Sequence, residues 1–321
     1  MKLDFLNQLS CTHCKSGPLR CARGEGLDRD AVSTGEIRCD SCGAEFPIRD
    51  GIVMFDITNT ETLREMSQWE RFAESEGWLE KNEGYLESLP SAGSNVLMKG
   101  DTIGWLYHEY EFFSMVTSLN LTNKRILDLG AGRCWSSKWM SLMGGVVVAF
   151  DAMSHPTVGL GAGGVYMKNH EIYFERVQGD FNALPFKDAQ FDIVISTGAI
   201  HHSTDIRQTI REVSRVLRPG GLAVLVNEMA SGFYVIKEKH NMTGHQHGIN
   251  EVSYRMTKLL SSFRASNLKI VDLRGSIRVY DKRTPYYQGI FGSLINAATW
   301  SKLANLVIRG GLYSCVLRRN V

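Results

Sequence analysis

Two pairs of cysteines near the start of the chain have the spacing of metal ligands. Cys11 and Cys14 form one Cys-x-x-Cys pair, Cys39 and Cys42 form the other, and residues 15–38 separate them. Thiolates in this arrangement are typical ligands of tetrahedral zinc. So short a stretch buries too little apolar surface to fold alone, and metal binding would supply much of its folding free energy. The sequence therefore predicts a zinc ribbon with a structural Zn²⁺ ion.

A glycine-rich turn follows an apolar segment at residues 125–132, RILDLGAG. Gly130 and Gly132 allow a sharp turn beside a ligand, and a helix that begins near Cys134 would offer unpaired backbone amides to a carboxylate. A dinucleotide site needs a third glycine where Trp135 stands here, because an indole would block the approach of the pyrophosphate. The turn therefore predicts a nucleoside cofactor without a pyrophosphate, and Cys134 is interpreted as a small packing residue on a helical backbone.

Acidic residues accompany the first two predicted strands. Asp128 lies in the first strand, and Asp151 ends the second, 23 positions later. In dinucleotide enzymes a carboxylate at the end of the second strand accepts both hydroxyls of a ribose. We therefore expect Asp151 to bind a ribose.

Histidines follow the fourth and fifth predicted strands. His201 and His202 lie in STGAIHHS, and His245, His247 and Glu251 lie in KHNMTGHQHGINEVSY. Ligands of open parallel sheets bind at the carboxyl ends of the strands, so both segments should face the substrate. For the second segment a general base, a metal site and a polar lid without direct chemistry all remain open.

An aromatic segment precedes the glycine-rich turn. In IGWLYHEYEFFSMVTSL, Tyr107, His108 and Glu111 fall at positions that could line a substrate pocket, because the predicted helix leads directly into the first strand of the cofactor site. An aromatic stripe at helical spacing also serves as core packing. Both interpretations stay open, with core packing favoured.

Strands and helices alternate from residue 124 onward and must position these groups. The predicted strands are KRILDLGAG, GVVVAFDA, a third element at the edge of the sheet near ERVQGD, FDIVIST, LAVLVNE, LKIVDLRG and GLYSCVLRR. DIRQTIREVSRVLRPGG is a predicted amphipathic helix closed by Pro-Gly-Gly. This order predicts an α/β fold with a Rossmann-like, doubly wound sheet.

The cysteine-rich stretch resembles a known family of small zinc ribbons. LSCTHCKSGPL and GEIRCDSCGAEFPIRDGIVMF carry the resemblance, and eukaryotic members of that family activate RNA and protein methyltransferases as separate subunits. The resemblance implies that an activator and an enzyme are joined here in one chain.

The second part of the chain resembles the class I methyltransferases that use S-adenosylmethionine (SAM), closely over residues 124 to about 230. The resemblance implies that Asp128 meets the methionine ammonium and that Asp180 accepts from the adenine amino group with Phe181 beside the ring. It implies pocket lining first and base catalysis second for His201, and a lid role for Glu251 and Tyr254. The expected cofactor residues are Asp128, Gly130, Ala131, Gly132, Asp151, Ala152, Asp180, Phe181, Thr197 and His201. The expected catalytic residues are His201, His245, His247 and Glu251, and the expected substrate residues are Tyr107, His108, Glu111, His202 and Tyr254.

Three units are expected along the chain. Residues 1–58 form the zinc ribbon, residues 59–120 a helical connector or lid, and residues 121–321 the methyltransferase domain, with a lid at 231–258 and an insertion at 275–311. The insertion is predicted to cap the substrate, contact a second subunit in a homodimer or touch a membrane surface, with capping or dimer contact favoured.

The composition of the chain indicates its cellular compartment and shows an uneven distribution of charge. The start of the chain lacks the apolar run of a signal peptide, no stretch of the chain is apolar enough to span a membrane, and the Cys-x-x-Cys pairs suit a reducing compartment, so a cytoplasmic protein is expected. Residues 57–95 hold eight glutamates against three basic residues, whereas residues 264–321 hold ten basic residues against two aspartates. The two regions therefore differ strongly in charge.

The expected function is SAM-dependent methyl transfer by in-line displacement to a small-molecule acceptor, with an anionic or biosynthetic intermediate as the expected class. An RNA methyltransferase that uses the ribbon for recognition is the first alternative. The ribbon itself holds seven basic and nine acidic residues over positions 1–56, which is not typical of a phosphate-binding module. A SAM-binding scaffold or activator without turnover is the second alternative.

Overall fold

The computed structural model of the chain describes residues 1–25, 31–80, 82–91, 102–232, 239–240, 249–275 and 310–321. Of residues 102–107, 239–240 and 310 it describes the backbone alone. The predicted helix in the 275–311 insertion and half of the predicted lid at 231–258 lie outside the described residues.

One sheet of thirteen strands runs through the described residues. The strands are β1 (Leu19–Glu25), β2 (Thr34–Cys39), β3 (Glu45–Arg49), β4 (Ile52–Met54), β5 (Arg125–Leu129), β6 (Val146–Asp151), β7 (Glu175–Gln178), β8 (Phe191–Thr197), β9 (Leu217–Ser231), β10 (Lys239–His240), β11 (Val252–Arg255), β12 (Leu268–Gly275) and β13 (Gly310–Arg319). Their spatial order is β1-β2-β3-β4-β7-β6-β5-β8-β9-β11-β10, and β13 pairs with β9 and β12.

The central strands are parallel and confirm the predicted α/β fold class. β7, β6, β5, β8 and β9 pair in parallel, while β13 runs antiparallel to β9. Their carboxyl ends therefore lie at one end of the sheet, which we call the carboxyl end. Binding groups of such sheets collect there, because loops that leave neighbouring strands converge at that end.

Seven helices accompany the sheet in the described residues. They are α1 (Thr60–Ser75), α2 (Glu83–Glu87), α3 (Thr102–Val116), α4 (Trp135–Leu142), α5 (Gly163–Asn169), α6 (Ile206–Val216) and α7 (Met256–Ala265), with 3₁₀ turns at Leu3–Gln8, Leu160–Ala162 and Ile200–His202. No helix among the described residues has the length and apolar character needed to cross a membrane.

One helix is shorter than its sequence pattern predicted. α6 ends at Val216, and the Pro-Gly-Gly stretch that was expected to close it belongs to the start of β9. Leu217 already has an extended backbone, with ψ of 144°. A residue two positions before a proline can leave the helix in this way, since the residue directly before proline disfavours the helical region.

Alternate residues of the central strands pack on opposite faces of the sheet. Ile126 of β5 belongs to the apolar cluster that includes α3, α4 and α5, whereas Leu127 belongs to the cluster that includes α6 and α7. The second cluster also contains Phe5, Leu9 and at least one apolar residue from each of β1–β4. The cysteine-rich part of the chain and one face of the core therefore share a single apolar cluster.

The cysteine-rich strands continue the sheet of the core. β4 pairs in parallel with β7, with Val53 opposite Val177, and β3 pairs antiparallel with β4. The prediction that the third core strand lies at the edge of the sheet is therefore wrong. β7 is interior because β4 pairs with backbone N–H and C=O groups of β7 that would be unpaired if β7 were an edge strand.

Polar and aromatic contacts reinforce this junction. The backbone N–H of Lys2 donates to Glu175 of β7 at 2.9 Å, and the Arg176 guanidinium donates to the Leu160 and Asp50 carbonyls. The ring of Phe5 lies 6.5 Å from that of Phe186, which also contacts Phe150 and Phe191. The backbone and side chains on both sides of the junction are thus packed together.

Replacing Phe5 by alanine should destabilise the whole chain, because Phe5 is 2% exposed and packs against the core across the junction. We expect a loss of about 3–5 kcal/mol in the free energy of unfolding, in one cooperative transition measured by urea denaturation. Leu3→Ala in the same 3₁₀ turn is the matched control, since Leu3 is 46% exposed and should change stability by about 0.5 kcal/mol or less. Two separate transitions in the Phe5 variant would contradict a shared core.

Candidate active site

The glycine-rich turn lies between β5 and α4 at the carboxyl end of the sheet. Gly130 and Gly132 have φ of +80° and +48°, and the amides of Gly130 and Ala131 donate to the Phe150 carbonyl at 2.8 and 3.0 Å. A Cβ on Gly130 would lie 2.3 Å from the Cβ of Ala199. The turn therefore needs glycine for both its backbone conformation and its close contact with the neighbouring loop.

Cys134 departs from its expected backbone conformation. It was predicted to have a helical backbone, but it lies in the left-handed region with φ of 59° and ψ of 20°, and α4 begins one residue later. The side chain is fully buried, and burial raises the pKa of its thiol well above the usual range. The left-handed backbone explains why a glycine suits this position, and the buried, protonated thiol is not suited to nucleophilic chemistry.

Asp128 is held by two hydroxyls of α4. Ser136 and Ser137 donate to its Oδ2 at 2.6 and 2.5 Å, while its buried Oδ1 has no hydrogen-bond partner in the described part of the chain. Burial raises the pKa of Asp128 to about 6, although the two serine hydroxyls oppose this shift. The second oxygen is thus a buried acceptor beside the glycine-rich turn.

Asp151 and Asp180 follow β6 and β7. Asp151 accepts from the amides of Gly132 and Met153 at 2.9 and 2.8 Å, and burial raises its pKa despite these two hydrogen bonds. Asp180 accepts from the Asn182 amide at 2.7 Å. Both carboxylates lie at the carboxyl end of the sheet, where the sequence predicted them.

The arrangement fits a nucleoside cofactor with an ammonium group. Thr197 at the end of β8 has a buried Oγ1 with no hydrogen-bond partner among the described residues, as does Asp128 Oδ1. Phe181 lies over the turn, with its Cζ 3.2 Å from the position of a Cβ on Gly130. A polar ligand would supply hydrogen-bond partners for these two atoms. Polar atoms that are buried without a partner destabilise a protein.

His201 is oriented by a buried glutamate. Its Nδ1 lies 3.0 Å from an oxygen of Glu228, and the other oxygen of Glu228 accepts from the amides of Ala199 and Ile200 and from Ser196. Burial favours the neutral acid, but the hydrogen bonds and charge of His201 and the two amides outweigh it, and the pKa of Glu228 is lowered. The ionised carboxylate therefore fixes the ring.

His202 pairs with a residue of α1. Its Nδ1 lies 2.8 Å from Glu65, and its ring contacts Trp69. Burial alone would lower the pKa of His202, but the hydrogen bond to Glu65 and the charges of Glu65, Glu251 and Glu228 outweigh it, so the pKa is raised. The histidine is thereby linked to a helix that the sequence assigned only to a connector.

α1 lies across the carboxyl end of the sheet. Its N-cap Asn59 donates to Thr204, and Thr62 of its first turn donates to Asp180 at 3.2 Å. Together with the Glu65–His202 contact, these bonds attach the N-cap and the first two turns of α1 to the loops after β7 and β8. α1 therefore covers the candidate site.

The segment before β11 is attached to the histidine turn. Asn250 donates to the carbonyls of His202 and Ser203 at 3.1 and 3.3 Å, and the Tyr254 hydroxyl donates to the Ser203 carbonyl. A ligand atom from each of His201, His202 and Glu251 lies within 4.8 Å of the other two. Three residues predicted from two different segments are thus brought together.

The remaining predicted substrate residues lie on α3. His108 packs against Gly198 after β8, and its Nδ1 lies 3.1 Å from the Asn227 side chain. Glu111 is 2% exposed and accepts from Ser314 of β13 at 3.2 Å. The side chain of Tyr107, and His245 and His247 entirely, lie outside the described residues.

Sequence reasoning missed the two glutamates that orient the histidines. Glu228 ends LAVLVNE, and its position after an apolar strand could have suggested a role at the carboxyl end of the sheet. Glu65 lies in a helix with many glutamates, and no feature of the sequence separates it from the others.

The four predicted zinc ligands lie together. The sulfurs of Cys11 and Cys42 are 3.7 Å apart, those of Cys14 and Cys39 are 3.6 Å apart, and all four lie within 4.8 Å of one another. A Cβ on Gly17 would lie 2.4 Å from the sulfur of Cys39, so this turn must be free of a side chain. Four converging sulfurs fit the tetrahedral donor set of a structural zinc site.

Comparison with known proteins assigns both parts of the chain. Residues 127–225 match the family model of a methyltransferase domain, and residues 2–51 match that of Trm112p-like proteins. The chain contains a methyltransferase domain. The glycine-rich turn, Asp128, Asp151, Asp180 and the histidine pair all belong to this domain, which is preceded by a Trm112p-like domain.

Several known proteins are similar to the methyltransferase domain. An uncharacterized methyltransferase, YcgJ of Bacillus subtilis, is 32% identical over 142 residues, which are 44% of this chain and 54% of the relative. The phthiotriol/phenolphthiotriol dimycocerosates methyltransferase of Mycobacterium leprae is 33% identical over 119 residues, 36% of this chain and 40% of that protein. The chain thus spans about half or less of the length of these relatives.

A solved structure aligns with a larger share of the chain. It is a complex that contains the Haloferax volcanii Trm112 methyltransferase activator, with 16% identity, a TM-score of 0.47, and coverage of 74% of this chain and 97% of the other.

The raised pKa of Asp128 predicts a measurable dependence of stability on pH. Because the folded-state pKa rises from 3.8 to about 6, the neutral carboxyl stabilises the fold below pH 3.8, and this contribution is lost as the pH rises through 6. Relative to Asp128→Asn, the wild type should therefore lose up to about 3 kcal/mol of unfolding free energy between pH 4 and 7, as measured by urea denaturation. If the difference in unfolding free energy between the two proteins stays constant with pH, Asp128 is not a buried carboxyl with a raised pKa.

Proposed function

We propose that this chain transfers a methyl group from SAM to a small molecule. The observation that carries the proposal is the pair of unsatisfied buried acceptors, Asp128 Oδ1 and Thr197 Oγ1, beside the glycine-rich turn of a methyltransferase domain. The methyltransferase named for its action on phthiotriol and phenolphthiotriol dimycocerosates, a relative with 33% identity, supports a small-molecule acceptor.

The residues around the turn suit each part of SAM. The orphan oxygen of Asp128 would accept from the methionine ammonium, and Asp151 would accept from the ribose hydroxyls. Asp180 would accept from the adenine amino group, with Phe181 against the ring. When bound, SAM supplies an electrophilic methyl on a sulfonium, and the acceptor attacks it in line.

The chain contributes chiefly by positioning and by excluding water. α1 covers the carboxyl end of the sheet through the contacts of Asn59, Thr62 and Glu65. Glu228 holds the ring of His201, and Glu65 holds that of His202, so both rings have a fixed orientation beneath α1. Holding two reactants in line supplies a large share of the acceleration of such a displacement.

The charge of the covered site favours a small molecule over RNA. Glu65, Glu228 and Glu251 lie around the two histidines, so an approaching phosphate backbone would meet negative charge. RNA-binding sites instead collect lysine and arginine that neutralise phosphates.

The Trm112p-like domain is proposed to serve the methyltransferase domain of its own chain. Its strand β4 occupies the open side of β7, and its apolar residues share a cluster with the core. A strand that is already paired within the chain is not available to dock another protein in the same way. This arrangement favours an intramolecular stabilising role over a scaffold.

Calorimetric titration with S-adenosylhomocysteine (SAH) tests the cofactor assignment. The wild type should bind SAH saturably, and Asp151→Ala should weaken binding by roughly 10-fold to 100-fold, because the ribose hydroxyls lose a charged acceptor. Asp188→Asn is the control, since Asp188 is 76% exposed and precedes β8 at the opposite end of the sheet. No SAH binding by the wild type, or equal binding by the Asp151 variant, would refute the assignment.

We also propose that the four cysteines hold a structural Zn²⁺ ion. Removing the metal with a chelator should lower the melting temperature of the whole chain in one calorimetric transition, because the ribbon and the core share one apolar cluster. Cys14→Ala should lose the zinc that elemental analysis detects, whereas Cys21→Ala should keep it, since Cys21 lies outside the four-sulfur cluster. A chain without zinc that melts like the untreated protein would contradict the structural role.

A further inference from the structure

A second group of metal-binding side chains lies at the covered end of the sheet. His201 and His202 are consecutive residues of a 3₁₀ turn, and their ring centroids lie 4.3 Å apart. One ligand atom from each ring and one carboxylate oxygen of Glu251 lie within 4.8 Å of one another. This cluster is separate in sequence and chemistry from the four cysteines, and the contacts proposed for the ammonium, ribose and adenine of SAM do not use it.

Each histidine of the cluster has its Nδ1 bound by a different glutamate. Glu228 lies 3.0 Å from His201 Nδ1, and Glu65 lies 2.8 Å from His202 Nδ1. A carboxylate accepts the proton of Nδ1, so in the neutral ring the lone pair is on Nε2. Histidines that bind metals usually donate their other ring N–H to a carboxylate or carbonyl in this way, which fixes the ring and strengthens the ligand.

The third ligand is fixed to the same turn by its neighbour. Asn250 donates to the carbonyls of His202 and Ser203, so the segment that carries Glu251 is attached directly to the histidine turn. The ligands therefore come from two separate segments of the chain, and each segment is held by hydrogen bonds of its own. Such support is what distinguishes a preorganised site from residues that are merely close.

The spacing of these groups suits a single cation. One ring nitrogen of each histidine and one oxygen of Glu251 lie within 4.8 Å of one another, a separation that one metal ion can bridge. Two imidazoles and one carboxylate form a donor set that suits divalent first-row transition metals, including zinc.

We propose that His201, His202 and Glu251 bind a divalent transition-metal ion, with Glu228 and Glu65 orienting the two rings. Three protein ligands leave coordination positions for water or for an oxygen atom of the acceptor, as in open metal sites. Because α1 supplies Glu65, the metal would also hold this helix over the site. The metal site itself does not depend on the proposed methyl transfer.

Titration of the zinc-loaded protein with Co²⁺ tests the proposal. We expect one Co²⁺ to bind per chain with the weak visible bands of nitrogen and oxygen ligands, while the zinc content of the protein stays unchanged. Strong charge-transfer bands of a cobalt thiolate would mark exchange at the cysteines instead. Uptake that shows only those bands, or no uptake, would overturn the proposal.

Variants of the ligands and of their orienting residues sharpen the test. His202→Asn and Glu251→Gln should each weaken Co²⁺ binding by roughly 10-fold or more, and Glu65→Gln should weaken it by roughly 10-fold to 100-fold because the His202 ring loses its orienting acceptor. The Glu65 variant removes no ligand, and its SAH titration shows whether the variant is folded. Binding that is unchanged in all three variants would overturn the proposal.

A matched histidine elsewhere in the chain serves as the control. His170 also pairs with a glutamate, Glu87, at 2.9 Å, but it does not belong to the cluster. His170→Asn should bind Co²⁺ like the wild type, and an equal loss in this variant would overturn the assignment to the cluster. SAH titration of the same variants separates the two proposals, since normal SAH binding with no Co²⁺ uptake would refute the metal site alone.

Discussion

The pairing of β4 with β7 is the constraint on which the rest of the structure depends. It joins the strands that carry the cysteine cluster to the sheet that carries the candidate site, and it extends one apolar cluster across both. A short cysteine-rich stretch buries too little surface to be stable alone, and β7 would otherwise be an exposed edge. The pairing therefore adds buried surface to the cysteine-rich stretch and removes the exposed edge of β7. It couples the stability of the methyltransferase domain to that of the Trm112p-like domain.

The carboxyl end of this sheet concentrates groups that are costly to bury. Asp128 and Asp151 both have raised pKa values because they are buried, and each is only partly compensated by hydroxyls or amides of the chain. A ligand with an ammonium group and ribose hydroxyls would complete these interactions. The cost of burying these carboxylates in the free protein is the physical basis of preorganisation for such a ligand.

Two glutamates at the same end of the sheet orient the pair of histidines. Glu228 of β9 and Glu65 of α1 each fix one histidine, and α1 is attached to the loops after β7 and β8 through Thr62 and Asn59. The helix is thus both a cover and a contributor to the site. One of its many glutamates, Glu65, contacts the partly buried imidazole of His202.

The sequence by itself determined the features that depend on local pattern. The alternation of strands and helices fixed the α/β class, the Cys-x-x-Cys pairs fixed the four-sulfur cluster, and the glycines with positive φ fixed the turn after β5. Only the tertiary structure decided that β7 is interior, that Cys134 is left-handed, and that Glu65 and Glu228 orient the histidines. These features depend on contacts between residues far apart in the chain, such as the 137 positions that separate Glu65 from His202, and no local periodicity encodes them.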